Sequence, residues 1–190
     1  MIDLDSIRSA ADRIAPYIIR TSVLNVQLKL GTELLLKPES LQAVGSFKIR
    51  GAFNRMLQLE ADCLGVVAHS SGNHARAIAY AGRLLGIPST IVMPSNAPTV
   101  KRAAVEADGA RIITVGPDSE ERRERALKIS GAEGLVLVPP YDDPDVIAGQ
   151  GTIGLEMLEQ FPELDTVIVP TSGGGLIGGI AIAIKSLKPK

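Results

Sequence analysis

Six short runs rich in leucine, isoleucine and valine recur along the 190 residues, and between them apolar positions repeat at the period of a helix. The runs are "ELLLK" (33–37), "LGVVAH" (64–69), "STIVMP" (89–94), "ARIITV" (110–115), "GLVLVPP" (134–140) and "TVIVP" (166–170). A strand that alternates apolar with polar residues leaves one face in water, whereas a continuous apolar run needs cover on both faces, the pattern of parallel strands laid between helices. Helical periodicity predicts helices over 4–18, 47–59, 74–85, 99–107, 119–130, 144–160 and 176–187. Strand and helix in alternation leave right-handed crossovers as the connection, so the expected class is α/β, with open, mostly parallel sheets and helices on both faces. "LGIP" at 85–88 and "ADGA" at 107–110 place a glycine just past a helix end. The chain shows no internal repeat and no low-complexity linker.

Composition closes off several functions. With 45% hydrophobic and 22% charged residues the chain can bury a sizeable core and is not a disordered one. A formal net charge of −1 supplies no field that would favour nucleic acid or an anionic membrane. The longest uncharged apolar run, "LIGGIAIAI" at 176–184, is too short to cross a bilayer, and the opening "MIDLDS" lacks the basic start of a signal peptide, so a cytoplasmic protein is expected. Cys63 is the only cysteine, which leaves no intramolecular disulfide and no cysteine-based zinc cluster; it reads as a small buried hydrophobe. Two histidines, His69 and His74, without an HExxH-like spacing give no metal site.

The ligand of an open α/β sheet sits beyond the carboxyl ends of its strands, where loops lead into helix N-termini. Two loops there are specialised. In "HSSGNHA" (69–75), Ser70, Ser71 and Asn73 offer side-chain caps to the next helix, and Gly72 allows a sharp bend that turns backbone N–H groups outward, which suits a carboxylate-sized anion. In "TSGGGLIGG" (171–179), three successive glycines let the backbone approach a phosphate closely, held by N–H groups and the positive end of a helix. A literal GxGxxG occurs at Gly173, Gly175 and Gly178, a weak match, since the dinucleotide motif wants an acidic residue about 20 residues on and the sequence stops at Lys190 before it; no GK[ST] follows either loop. The third element is Lys48 in "GSFKIRG" (45–51), flanked by Phe47 and Ile49; partial desolvation there lowers an amine pKa and favours the neutral form that makes a Schiff base. An amine, a Ser/Asn-rich anion bend and a glycine phosphate loop together suggest pyridoxal phosphate.

The same residues carry a family resemblance. "ESLQAVGSFKIRGAFN", "SSGNHARAIAYAGRLLGIPSTIVMP", "VIAGQGTIGLEML" and "VPTSGGGLIGGIA" stand in the order found in fold-type II pyridoxal phosphate enzymes of the serine/threonine dehydratase and serine racemase group, and the chain resembles that family over nearly its whole length. The resemblance implies that Lys48 carries the cofactor as an internal aldimine beside Phe47. It further implies that Asn73 donates to the cofactor's phenolic oxygen, and that Ser172, Gly173, Gly174, Gly175 and Leu176 bind its phosphate. Ser70, Ser71, Gly72, His74 and Arg122 are the implied substrate-binding residues. Arg76 stands where relatives often carry glutamine, and "RTSVL" at 20–24 lacks the proline common after that Arg-Thr. The implied activity is deamination of L-threonine or L-serine to a 2-oxo acid and ammonia, with the freed Lys48 amine as general base. A racemase alternative uses Ser71 as a second base, and a catalytically silent cofactor- or ligand-binding module is the alternative from another class. The expected architecture is a small α/β domain of residues 61–143 inserted into a larger one formed by 1–60 and 144–190 and incomplete on its C-terminal side. A small amino acid is the expected partner, and a homo-oligomer, most simply a dimer, the expected assembly.

Overall fold

The computed structural model describes residues 1–27 and 33–189. Helix α1 (Leu4–Ile14) starts at a capping box, in which Asp3 accepts from the Ser6 N–H and Ser6 Oγ accepts from the Asp3 N–H, and it buries Ile7, Ala10 and Ile14. Each such isoleucine contributes about 1.5–3 kcal/mol through burial. The sequence predicts this helix through residue 18, but it passes at Ala15–Tyr17 into a 3₁₀ turn containing Pro16, whose missing N–H cannot continue the α-helical ladder.

Strands β1 (Leu24–Gln27) and β2 (Glu33–Leu36) pair antiparallel, Leu24 opposite Leu36. The run "ELLLK" reads in sequence as a buried parallel strand; instead it forms half of a two-stranded ribbon with Leu36 42% exposed. Only five residues separate the two strands, too few for the crossover that a parallel pair requires.

The main sheet has four parallel strands in the order β5-β4-β3-β6, comprising β3 (Val66–His69), β4 (Ser89–Pro94), β5 (Arg111–Val115) and β6 (Val136–Leu137). Successive side chains go to opposite faces, and both faces are covered. Val66, Ala68, Ile91 and Met93 enter one core with Ile78 of α3 (Asn73–Leu85) and Val105 of α4 (Thr99–Ala107). Val67 and Val92 enter the other with Ala126 and Ile129 of α5 (Ser119–Glu133). The first core runs on into α2 (Lys48–Met56) through Ile49, Ala52, Phe53 and Met56. Phe53 stacks on Tyr17 with ring centroids 4.7 Å apart and meets Tyr80 edge-on at 6.4 Å.

Helix α6 (Pro144–Gln160) begins with Asp143 accepting from the Val146 N–H and with Pro144 at its first position. It packs on α1, α2 and α7 (Gly175–Leu187). The crossing of α6 and α7 is close enough that a Cβ on Gly179 would lie 2.4 Å from the Ile147 carbonyl oxygen. The run "TVIVP" forms no strand, and Ile168 is 86% exposed: among the described residues no strand pairs with it to complete a ladder. No helix of the described residues is long and apolar enough to cross a membrane.

Candidate active site

Lys48 opens α2, and Phe47 holds the preceding cap position, its ring centroid 5.2 Å from the lysine Nζ. The amine donates to the carbonyl oxygen of Pro140, just past the carboxyl end of β6. Burial lowers the amine pKa from 10.5 to about 8. At pH 7 roughly a tenth of the molecules then carry the neutral nucleophile, against about one in three thousand for an ordinary lysine.

What holds the helix under Lys48 is a charged network buried two residues further on. Arg50 is 0% exposed and donates to both carboxylate oxygens of Glu39, each at 2.8 Å. It also reaches Glu156 of α6 at 2.6 and 3.0 Å and Thr152 at 3.1 Å. Lys37 closes the network on Glu156 at 2.5 Å. Burial raises the Glu156 carboxyl, but its bonds to Arg50 and Lys37 outweigh that and leave it below the usual carboxylate range. All four charges of the network, Lys37, Glu39, Arg50 and Glu156, therefore face an opposite charge, the condition under which buried charges are tolerated.

The serine-asparagine bend follows β3. Ser70 donates its backbone N–H to the Val92 carbonyl, extending the strand by one bond, and its Oγ accepts from the Gly72 N–H at 3.1 Å. The cap position of α3 is Gly72, with no side-chain cap, so neither serine nor Asn73 caps the helix as the sequence suggests. Ser71 and Asn73 are exposed, and their side chains make no hydrogen bond among the described residues. Gly72 lies buried under the Lys101 side chain, where a Cβ would sit 2.7 Å from the lysine Nζ. Burial lowers the His69 pKa, and the charge of Arg122 adds to the effect; the Arg122 NH1 donates to the Pro117 carbonyl. His74, 2% exposed, donates from Nε2 to the Val138 carbonyl at 2.9 Å.

The third element is the glycine turn into α7. Gly174 sits at φ +89° in the left-handed region, which glycine enters at no steric cost. Gly173 packs on the ring of Tyr141, where a Cβ would come within 2.3 Å of the ring carbons, and Gly175 packs on the Tyr141 backbone. The first N–H groups of α7, from Gly175, Leu176 and Ile177, have no partner within the helix, and Ser172 is exposed just before them.

Residues 138–141 thus touch all three elements: Val138 meets His74 beside Asn73, Pro140 meets Lys48, and Tyr141 meets Gly173 and Gly175. Sequence reasoning missed this segment. Its only local signal is the pair of prolines and the aromatic in "VPPYDDP", between a strand and a capped helix. Ser46, two residues before the lysine, is a second omission: its Oγ is buried and has no partner among the described residues.

The site fits pyridoxal phosphate on its own geometry. It offers an amine held near neutrality by burial and a glycine turn too tightly packed at Gly173 and Gly175 for side chains, with unpaired N–H groups at the start of α7. A protein of Oryza sativa subsp. indica named serine racemase is 47% identical over 192 residues, covering 98% of this chain and 57% of that protein. The L-threonine ammonia-lyase of Thermotoga maritima is 46% identical, covering 100% of this chain and 49% of its own length. The structure of maize serine racemase superposes with a TM-score of 0.95 at 47% identity, covering 99% of this chain and 59% of that one. The chain spans about half to three-fifths of the length of these relatives. Residues 14–190 match the family model described as pyridoxal-phosphate dependent enzyme, and with the fold, the site and these identities in agreement, the chain belongs to that family.

Proposed function

We propose that the chain carries the catalytic lysine and the phosphate loop of an enzyme that deaminates L-threonine or L-serine to a 2-oxo acid and ammonia. The observation that supports it best is the joining of Lys48, the Asn73 bend and the glycine turn by the single segment 138–141. In this reading Lys48 holds pyridoxal phosphate, the N–H groups from Ser172 to Leu176 hold its phosphate, Phe47 borders it and Asn73 donates to it. The cofactor, when bound, supplies an electron sink for charge developed at the substrate α-carbon. The protein supplies the rest. Ser70, Ser71 and Gly72 at the positive start of α3 take the substrate carboxylate, with Arg122 adding its charge at the edge of the bend. The neutral Lys48 amine removes the α-proton, and its lowered pKa lets it do so near pH 7.

A second reading is racemisation, supported by Ser71, whose exposed hydroxyl has no hydrogen-bond partner among the described residues and could return a proton at the other face of the α-carbon. One assay separates the readings. L-Serine and L-threonine are incubated with native protein, Lys48→Ala and Ser71→Ala, and 2-oxo acid and D-serine are both quantified. Native protein should give 2-oxo acid, and Lys48→Ala should lose at least about 10³-fold of it. Native-like turnover by Lys48→Ala would remove the proposal. D-Serine formed by native protein and lost in Ser71→Ala would establish the second reading, and cofactor binding with neither product would leave a binding module.

A further inference from the structure

Pro139 and Pro140 have no backbone N–H, so the segment that meets all three site elements is short of its own donors. The Val138 N–H goes to the Val67 carbonyl at 2.9 Å, which ties the start of the segment to β3. Two side chains take its carbonyls: His74 Nε2 donates to Val138 at 2.9 Å, and Lys48 Nζ donates to Pro140. A carbonyl oxygen only accepts, so the imidazole proton sits on Nε2. That leaves Nδ1 as a bare lone pair, buried and without a partner. Burial, assisted by the charges of Lys48 and His69 and opposed by the bond to Val138, takes the His74 pKa down to about 3. The ring is therefore a fixed, neutral, single-proton donor at any pH where the enzyme would work, and it cannot serve there as a titrating base.

We propose that His74 is a positioning residue for the Lys48 amine: its Nε2–H fixes the Val138 carbonyl, and with it the Pro140 carbonyl two residues on that receives the amine. The inference rests on the reading of Lys48 as the cofactor-bearing lysine for its consequence in turnover, but the positioning itself is read on the amine without cofactor. A histidine that only satisfied a buried carbonyl would leave the Lys48 titration unmoved.

The test compares native protein with His74→Phe, which keeps bulk and loses the donor, and His74→Gln, which keeps an N–H donor. In cofactor-free protein, Lys48 is labelled with limiting acetic anhydride across pH, and its peptide is quantified by mass spectrometry. Native Lys48 should titrate near 8. In His74→Phe the loosened segment admits water to the amine, and the titration should move toward 10.5 by about one unit or more. In cofactor-loaded protein the same variant should lose about tenfold in kcat with KM within about threefold, because the amine is misplaced while the substrate bend is intact. His74→Gln should restore both to within about threefold of native. An unshifted Lys48 titration in folded His74→Phe, or a glutamine variant that behaves like phenylalanine, would overturn the proposal. Should His74→Phe not fold, the native protein decides through its imidazole ¹⁵N shifts. An Nε2–H tautomer held from about pH 8 to about pH 5 supports the proposal, and an Nδ1–H tautomer overturns it. Failure of the cofactor reading is separately visible, as unchanged cofactor binding and turnover in Lys48→Ala.

Discussion

The burial that lowers the Lys48 amine pKa also works against the fold. Below about pH 8 the folded and unfolded chains both carry the proton, but the folded one holds it in a partly desolvated site. A depression from 10.5 to about 8 corresponds to about 2–3 kcal/mol once some solvent access is allowed for. Between pH 8 and 10.5 the unfolded chain binds a proton that the folded chain has released, so stability from this group rises with pH. Lys48→Met should therefore stabilise the cofactor-free chain by about 2 kcal/mol at pH 7, with the gain fading as pH climbs through that window. Urea unfolding of both proteins at neutral and alkaline pH measures it, and equal stabilities at neutral pH would mean that burial is not what lowers the amine. The lysine was legible in the sequence because its neighbours in "GSFKIRG" are local. The distant contacts around it were not: Pro140 lies 92 residues away and His74 meets Val138 across 64, and no periodicity or propensity links positions so far apart.

Helix boundaries show the same division between local and distant signals. Helices α4 and α6 run over the residues their periodicity predicts, Thr99–Ala107 and Pro144–Gln160, because local start signals agree with the apolar stripe: Pro98 just before α4, and the Asp143 cap with Pro144 for α6. Helix α5 runs past the expected stop at 130 to Glu133: Gly131 stays helical, and Gly134, at φ +67°, takes the left-handed capping position. Two glycines three residues apart give the same sequence signal, and only the chain path decides which one ends the helix. This distinction makes a paired prediction. On α6, a Cβ at Gly149 would lie 2.7 Å from the Arg50 carbonyl oxygen and from the Gly51 Cα, so Gly149→Ala must push α6 away from α2. It should cost about 1–3 kcal/mol by denaturant unfolding, as overpacked contacts do. A Cβ at Gly131 meets nothing within 4 Å, and Gly131→Ala should stabilise by about 0.5–1 kcal/mol through helix propensity. Equal effects at the two positions would mean that the α2–α6 approach is looser than these distances state.

At the scale of the whole molecule, cover is uneven. The four-stranded sheet has a core on each face, and its strands β3 and β4 are paired on both sides. Residues 166–170 have the strand-forming composition of the other runs, yet they join no sheet, with Ile168 86% exposed. The alternation of runs made the α/β class and the main sheet readable, since four of the six runs take their places in one parallel sheet. It could not say which run finds neighbours, because a ladder is a property of two segments and composition is a property of one. Amide exchange should reflect that difference directly. The N–H groups of Val167, Ile168 and Val169 lack ladder bonds and should exchange at least about 10³-fold faster than those of Val67 and Ile91, which open only with the sheet. Hydrogen–deuterium exchange read by mass spectrometry on peptides covering the two regions makes the comparison in one experiment. Protection at 166–170 equal to that of β3 and β4 would show that this run is paired in solution, and the glycine turn that follows it would then be anchored from both ends.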